Sequence, residues 1–409
     1  MKEKEKKLSK KMFSPVKIDA SLQEKIERPS LTFWQDARRR LFKNKGAIIG
    51  MIILGIIIIM AFVGPMMNNY RYDQQIEPLK KHNKLPPRIP RLEDIGIFDG
   101  TVVKTVNENR LNQYSEDAYE VIKEIQKTTE LEVPEISLSR YEEGAYEVVD
   151  EITNESGIKI FKIAIKQTEY RVREYSYIHH GIEDEYYWFG TDELARDIWT
   201  RVWKGTQISL YIGLLAAILD MLIGVTYGSI AGYYGGKIDI YMMRLIEIIQ
   251  GIPALVIIIL FILIMEPGIL PISLAIAITG WMSMARVVRS QFLKLKSQEF
   301  VLAAKTLGTP NVTLIKKHLI PNIVGQVIVM ITFSIPGAIF YEAFLAFVGL
   351  GIPAPNASLG VLINESVGFL RSYPSMLFIP TAVLSLLMLS INIFANGLRD
   401  ALDPRMRNN

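Results

Sequence analysis

The pattern of apolar and polar positions divides the chain sharply. Residues 46–67 carry no charge, and the 21-residue run Ala47–Met67 is long enough for one helix to cross a bilayer. A long polar stretch follows. Five more apolar runs then come in close succession, at about Ile208–Tyr233, Ile248–Met265, Ile269–Met284, Ile323–Phe340 and Met376–Phe394. Only Glu266-Pro267-Gly268 separates the third span from the fourth, and that tripeptide predicts a tight turn. The expected fold is an all-α polytopic membrane protein of six transmembrane helices.

Residues 68–188 interrupt the apolar pattern and predict a small α+β insert. Leu85-Pro86-Pro87 and Ile89-Pro90 predict an extended entry. Ser115-Glu116-Asp117 predicts a helix to about Lys127, with Ser115 as its N-cap and acids in the first turn. Ile158, Ile160, Ile163 and Ile165 predict a strand, although Phe161 breaks strict alternation. His179-His180 reads as a surface pair and not a metal site, because no further ligand stands at a convincing spacing.

Charge sharpens this division. Half the residues are hydrophobic and 22% are charged, so mean hydropathy is only +0.21. Residues 1–45 are net +8, residues 71–190 net −8 and residues 191–409 net +4. The overall +4 is therefore a cancellation, and nothing in it points to nucleic acid. Basic residues crowd alternate links: Arg38-Arg39-Arg40 and Lys43 before the first span, Lys237 and Arg244 between the second and third, seven Lys or Arg from Arg286 to Lys317, and Arg399, Arg405 and Arg407 in the tail. The other short links hold only Arg371. This asymmetry predicts cytoplasmic termini and an extracytoplasmic insert. The chain has no cysteine, which excludes disulfides and thiolate chemistry.

Between the fourth and fifth spans, residues 299–322 predict helix, break, helix. Glu299 suits a helix N-terminus. Ala303 and Ala304 are strong helix formers that permit close packing. Gly308 suits the left-handed residue that closes a helix. Thr309 is expected as the next N-cap, with Pro310 at the first helical position and Pro321 as the terminator. Val312, Leu314, Ile315 and Leu319 are expected on an exposed face suited to a partner's groove. An amphipathic helix lying on lipid is the alternative.

These residues resemble the Glu-Ala-Ala loop of ABC importer permeases. Ala303, Ala304, Gly308 and Pro321 match its spacing, while Leu302, His318 and Ile320 replace its Glu, Ile and Leu. Glu299-Phe-Val-Leu-Ala-Ala-Lys is similar to the version found in the peptide-transport branch. Three further blocks resemble that branch: Gly190-Thr-Asp-Glu-Leu-Ala-Arg-Asp-Ile-Trp-Thr-Arg, with Ala195 and Thr200 in place of Gly and Ser; Glu342-Ala-Phe-Leu-Ala-Phe-Val-Gly-Leu-Gly-Ile-Pro; and Leu398-Arg-Asp-Ala-Leu-Asp-Pro-Arg. Trp34 to Gly50 resembles its entry helix. The likeness covers about 34–67 and 189–407.

The resemblance implies the ABC type I importer permease fold, and the C-type subunit of a bacterial dipeptide/oligopeptide importer. It also implies a homologous second permease, two ATPase subunits holding ATP and Mg²⁺, an extracytoplasmic binding lipoprotein and a peptide cargo. The coupling segment would comprise Glu299, Ala303, Ala304, Gly308, Thr309, Pro310, Ile315, His318 and Pro321. The chain itself has no Gly-x-x-x-x-Gly-Lys-Ser/Thr for nucleotide, and we expect no catalytic residue, cofactor or metal on it.

Four positions are pore or gate candidates. Asp220 falls near the middle of span 2, where a charge costs about 2.5–3.5 kcal/mol. It is expected either to line the pore or to bond a neighbouring span. Glu342 is expected just past span 5. Pro253 and Pro336 are expected inside spans 3 and 5 as hinges or structural bends. Glu247 is expected to pair with Arg244. The competing classes are a membrane sensor with an external domain, a membrane-embedded enzyme, and a family importer of nickel chelates.

Overall fold

Among the described residues, five helices are long and apolar enough to cross a bilayer, and a sixth apolar segment is bent. The computed structural model describes residues 32–134, 137, 146–153 and 159–403; Ile158, Arg405 and Arg407 lie outside them. In chain order α1 is Phe33–Leu41, α2 Lys45–Val63, α3 Ile198–Tyr234, α4 Gly236–Gln250, α5 Ala254–Met265, α6 Ile269–Leu295, α7 Glu299–Thr306, α8 Ile320–Phe347, α9 Leu359–Ser366 and α10 Pro374–Leu402. The membrane helices outrun their apolar cores because a helix bonds within its own backbone, whatever its side chains. At 37 residues and 1.5 Å per residue, α3 is about 55 Å long, well beyond a 30 Å hydrocarbon layer.

The third expected span is not one helix. α4 ends at Gln250, and α5 leaves at 82° after Gly251-Ile252-Pro253. Pro253 therefore caps α5 instead of kinking a continuous span. Its ring disfavours helical geometry at Ile252. α5 has 12 residues, about 18 Å, which is too short to cross alone. Pro336, in contrast, lies buried within an unbroken α8.

The tightest seam joins α3 to α6. Gly224, Gly228 and Gly232 recur every fourth residue on α3 and face Met284, Ala285, Val288 and Phe292. A Cβ at Gly228 would strike the Ala285 carbonyl oxygen and lie 2.9 Å from the Val288 Cβ. Small residues are what let two membrane helices approach this closely. Gly228→Val is expected to cost at least about 3 kcal/mol by overpacking. Thermal unfolding in detergent measures it, and an unchanged midpoint would refute the seam.

Among the described residues the insert holds a four-stranded antiparallel sheet, with short helices at Leu79–His82, Glu108–Leu111 and Ser176–His180. Strands β1 (Thr101–Asn107), β2 (Tyr119–Pro134) and β3 (Tyr146–Thr153) all pair with the 17-residue β4 (Lys159–Tyr175). The helix expected from Ser115 to Lys127 is absent. One turn at Glu116–Ala118 leads into β2, and Ser115 makes no side-chain cap. β-Branched residues from Val121 to Val133 supply the strand, and pairing with β4 overrides the local acidic helix-start signal. Leu131, Ile163 and Val148 align across one face, with Ile163 fully buried.

Near the base of the sheet, Glu174 is 1% exposed. It pairs with Lys104 and accepts bonds from the Tyr114 and Ser176 hydroxyls, at 2.5 and 2.9 Å. Burial alone would raise its pKa, but these partners outweigh burial and hold it below the ordinary 4.5. A carboxyl with a depressed folded-state pKa contributes stability above its unfolded value and loses it as pH falls through the folded one. The insert is therefore expected to weaken below about pH 4.5. Glu174→Gln should flatten that acid limb, as read by hydrogen exchange over β1 and β4; an unaltered limb would contradict this.

Candidate coupling loop and outer clamp

The segment between α6 and α8 is two-sided. Val301 (2% exposed), Leu314 and Leu319 (both fully buried) and Ile323 join Met284, Val288 and Phe292 in one apolar cluster, with Ala304 and Ile315 packed at its edge. The expected exposed face is thus corrected, because Leu314 and Leu319 anchor the loop. The outward apolar side chains are Val312 and three residues to which the sequence assigned no exposed role: Phe300, Leu302 and Leu307. Leu307 is 85% exposed.

Gly308 closes α7 at φ +81°, as its position predicted. Its N–H bonds the Lys305 carbonyl, and the Thr309 N–H reaches back to Ala304. Pro310, not Thr309, then caps the next turn, Asn311–Thr313. Pro321 does not end the helix. A wide i→i+5 turn at Leu314–Leu319 runs directly into α8, so the missing N–H of Pro321 falls near the start of a helix. Residues 311–347 form one membrane-length helical unit, with the loop built into its foot. The Tyr233 hydroxyl at the end of α3 donates to Asn311 at 2.6 Å and ties the loop to a second span. Glu299, Ala303 and Pro321 are exposed, and His318 is half-buried.

The structure does not gather the pore candidates into one place. Asp220 is 5% exposed, and its Oδ1 has no hydrogen-bond partner among the described residues. It lies in line with the α3 glycine stripe and faces Gly280 of α6, where any Cβ would collide with its carboxylate. Glu342 sits inside α8, not past its end, and is 1% exposed. Its carboxylate accepts from Ser209 of α3 at 3.2 Å and from Ser358, the N-cap of α9. Those hydroxyls in turn accept the Leu359 and Val361 N–H groups, each at 3.2 Å. Glu342 thus places its carboxyl oxygens under the start of α9, bridged to the helix by the two serine hydroxyls. Arg244 and Glu247 pair at 2.8 Å, as expected.

A second cluster grips the far end of α9. Asp192 Oδ2 accepts from Arg196 Nε and Arg201 Nη1, both at 2.7 Å. Glu365 of α9 accepts from Arg201 at 2.9 Å and Arg196 at 3.3 Å. Burial pushes the Asp192 carboxyl above the ordinary aspartate range, although Arg196 pulls against it. These residues lay in a recognised block with no role assigned. Acid and base at 192, 196 and 201 were a readable signal for a helix-start cluster, but Glu365 is 164 residues from Arg201. Ala195, where the resembled block carries glycine, adopts φ +56° and is fully buried. That conformation costs a residue with a Cβ about 1–2 kcal/mol. Backbone bonds from Ala195 to Asp192 and from Ile76 to Ala195 hold the turn.

The insert touches the segments that flank α9. Tyr72 donates to Asn356 at 3.3 Å, and the Lys84 ammonium lies 4.6 Å from the centre of the Phe369 ring.

Residues 32–87 match the family described as the N-terminal transmembrane domain of oligopeptide transport permease C, and residues 224–408 match the binding-protein-dependent transport system inner membrane component. The chain is 35% identical to the oligopeptide transport permease OppC of Bacillus subtilis, over 98% of this chain and 99% of that one. It belongs to the OppC-type permease family. The Bacillus subtilis dipeptide permease DppC is 50% identical over 54% of this chain and 69% of its own length. The Lactococcus lactis DppC is 35% identical over 93% of both. This OppC-type permease is a multi-pass membrane protein, and its four-stranded insert is an addition to the helical transporter core.

Proposed function

We propose that this permease forms half of the translocation pore of an ATP-driven oligopeptide importer in a bacterial cell membrane, with both termini in the cytoplasm. The observation that carries the reading is the two-sided loop. Its inner face is fixed to α6 and its helix continues into α8, so a partner pressing on Phe300, Leu302, Leu307 and Val312 moves two spans at once. The partners in this reading are two ATPase subunits that bind ATP and Mg²⁺, a homologous second permease and an extracytoplasmic binding lipoprotein. The loop docks differently as the ATPases close, because only differential contact shifts a conformational equilibrium.

On the outer side, Glu342 and the Arg196–Arg201–Glu365 cluster hold α9 as a gate element. Asp220 belongs to the α3–α6 seam. The insert receives the binding protein, and its contacts with Asn356 and Phe369 link it to α9. Dipeptide cargo is the second reading, favoured by the similarity to the two dipeptide permeases.

Purification in mild detergent should recover a second permease and two ATPase subunits; recovery of folded chain alone overturns the assignment. Uptake of dipeptides against longer peptides in a deletion strain separates the two cargo readings.

A further inference from the structure

α1 presents a face that the other described residues leave uncovered. The helix opens with a capping box: the Gln35 N–H donates to Thr32 Oγ1 at 3.4 Å, and the Thr32 N–H donates to Gln35 Oε1 at 3.0 Å. Its inner side is occupied. Ala37 is buried, and Phe33 lies toward Gly325 of α8. Arg40 is engaged twice, by Asp36 and by the Asp403 carbonyl at 3.3 Å.

The opposite side is different. Trp34, Arg38 and Phe42 follow one another at four-residue spacing, so they form one column on the helix surface. Trp34 and Phe42 are each 54% exposed. Arg38, Arg39, Lys43 and Lys45 are exposed, and none forms an ion pair among the described residues. The level of this face is also fixed. Only Phe42, Lys43 and Asn44 separate α1 from α2, and Asn44 caps α2 through the Ala47 N–H at 3.2 Å. The column therefore stands at the edge of the hydrocarbon that α2 enters.

We propose that this face binds the headgroups of anionic phospholipids in the leaflet where α2 begins. Arg38 and Arg39 meet phosphate with planar, multiply donating guanidinium groups. Lys43 and Lys45 add charge, and Trp34 and Phe42 seat among the uppermost acyl carbons, as aromatic residues do at membrane boundaries. Positive charge beside a transmembrane helix fits an anionic surface at about 1 kcal/mol for each basic residue.

The test uses the membrane complex as extracted in mild detergent, reconstituted with phosphatidylcholine containing about a third phosphatidylglycerol. Native mass spectrometry counts each lipid retained. Combined Arg38→Gln, Arg39→Gln, Lys43→Gln and Lys45→Gln should lower phosphatidylglycerol retention at least tenfold relative to phosphatidylcholine, since each lost charge is worth roughly fivefold. Arg38→Lys with Arg39→Lys should keep most of it. Raising NaCl on the unaltered complex should release the same lipid, because salt screens exposed charge. That measurement stands even if the fourfold variant extracts poorly. Unchanged retention in the variant, or salt-independent retention in the unaltered complex, overturns the proposal. So does loss of a co-purifying subunit with lipid retention intact, which would give the face to a protein.

Discussion

Leu307→Asp is expected to lower peptide uptake roughly 30-fold while the chain accumulates and folds normally. The two halves of that expectation have separate causes. Leu307 is the most exposed apolar side chain on the loop, at 85%, so the fold gains little from it. A carboxylate in the centre of an apolar docking patch forfeits about 2 kcal/mol or more of association, and 1.4 kcal/mol is tenfold. Leu314→Asp should behave oppositely. It places a charge in a fully buried position, and the folded yield itself should collapse. Measuring uptake, ATPase activity and folded yield for both variants separates docking from anchoring. If Leu307→Asp transports normally, the exposed patch is not the docking surface.

Arg201→Met is expected to be among the most destabilising single changes in the molecule, at about 3–5 kcal/mol. Its side chain is 1% exposed and serves two carboxylates, and Asp192 is nearly as deeply buried at 11%. Removing the guanidinium leaves the Asp192 charge sharing Arg196 alone. Glu365 is 39% exposed, so solvent screens it, and Glu365→Gln should cost about 1 kcal/mol or less. The asymmetry identifies the Asp192–Arg201 contact as the fixed point and the Glu365 contact as the releasable one. Chemical unfolding in detergent gives both values. Equal and small effects would mean that the cluster does not hold α9.

The legible parts of this molecule share a cause. Spans α2, α3, α6, α8 and α10 follow from runs of apolar residues, because a bilayer tests each segment by itself. Gly308 was readable because a left-handed helix end is a local backbone requirement, and φ +81° meets it. The two largest misreadings share the opposite cause. Ser115-Glu116-Asp117 is a sound local helix start, yet β4 lies alongside and Tyr119–Pro134 is a strand. Leu314 and Leu319 look available on a short helix until the wide turn rotates them onto Met284 and Phe292. The bend expected at Pro253 is present, at 82°, and it divides that span into two helices.

Sequence alone determined which segments enter the membrane, where the polar insert interrupts them, and which loop carries the family's signature. Each of these depends on side-chain hydrophobicity or on a short run of neighbouring residues. Only the tertiary structure decided which side of that loop is free and which is anchored. It alone brought Glu365 to Arg201 across 164 residues and Glu342 under the start of α9. Those placements arise from packing between distant segments, and a hydrogen bond or buried ion pair of that kind leaves no periodic trace along the chain.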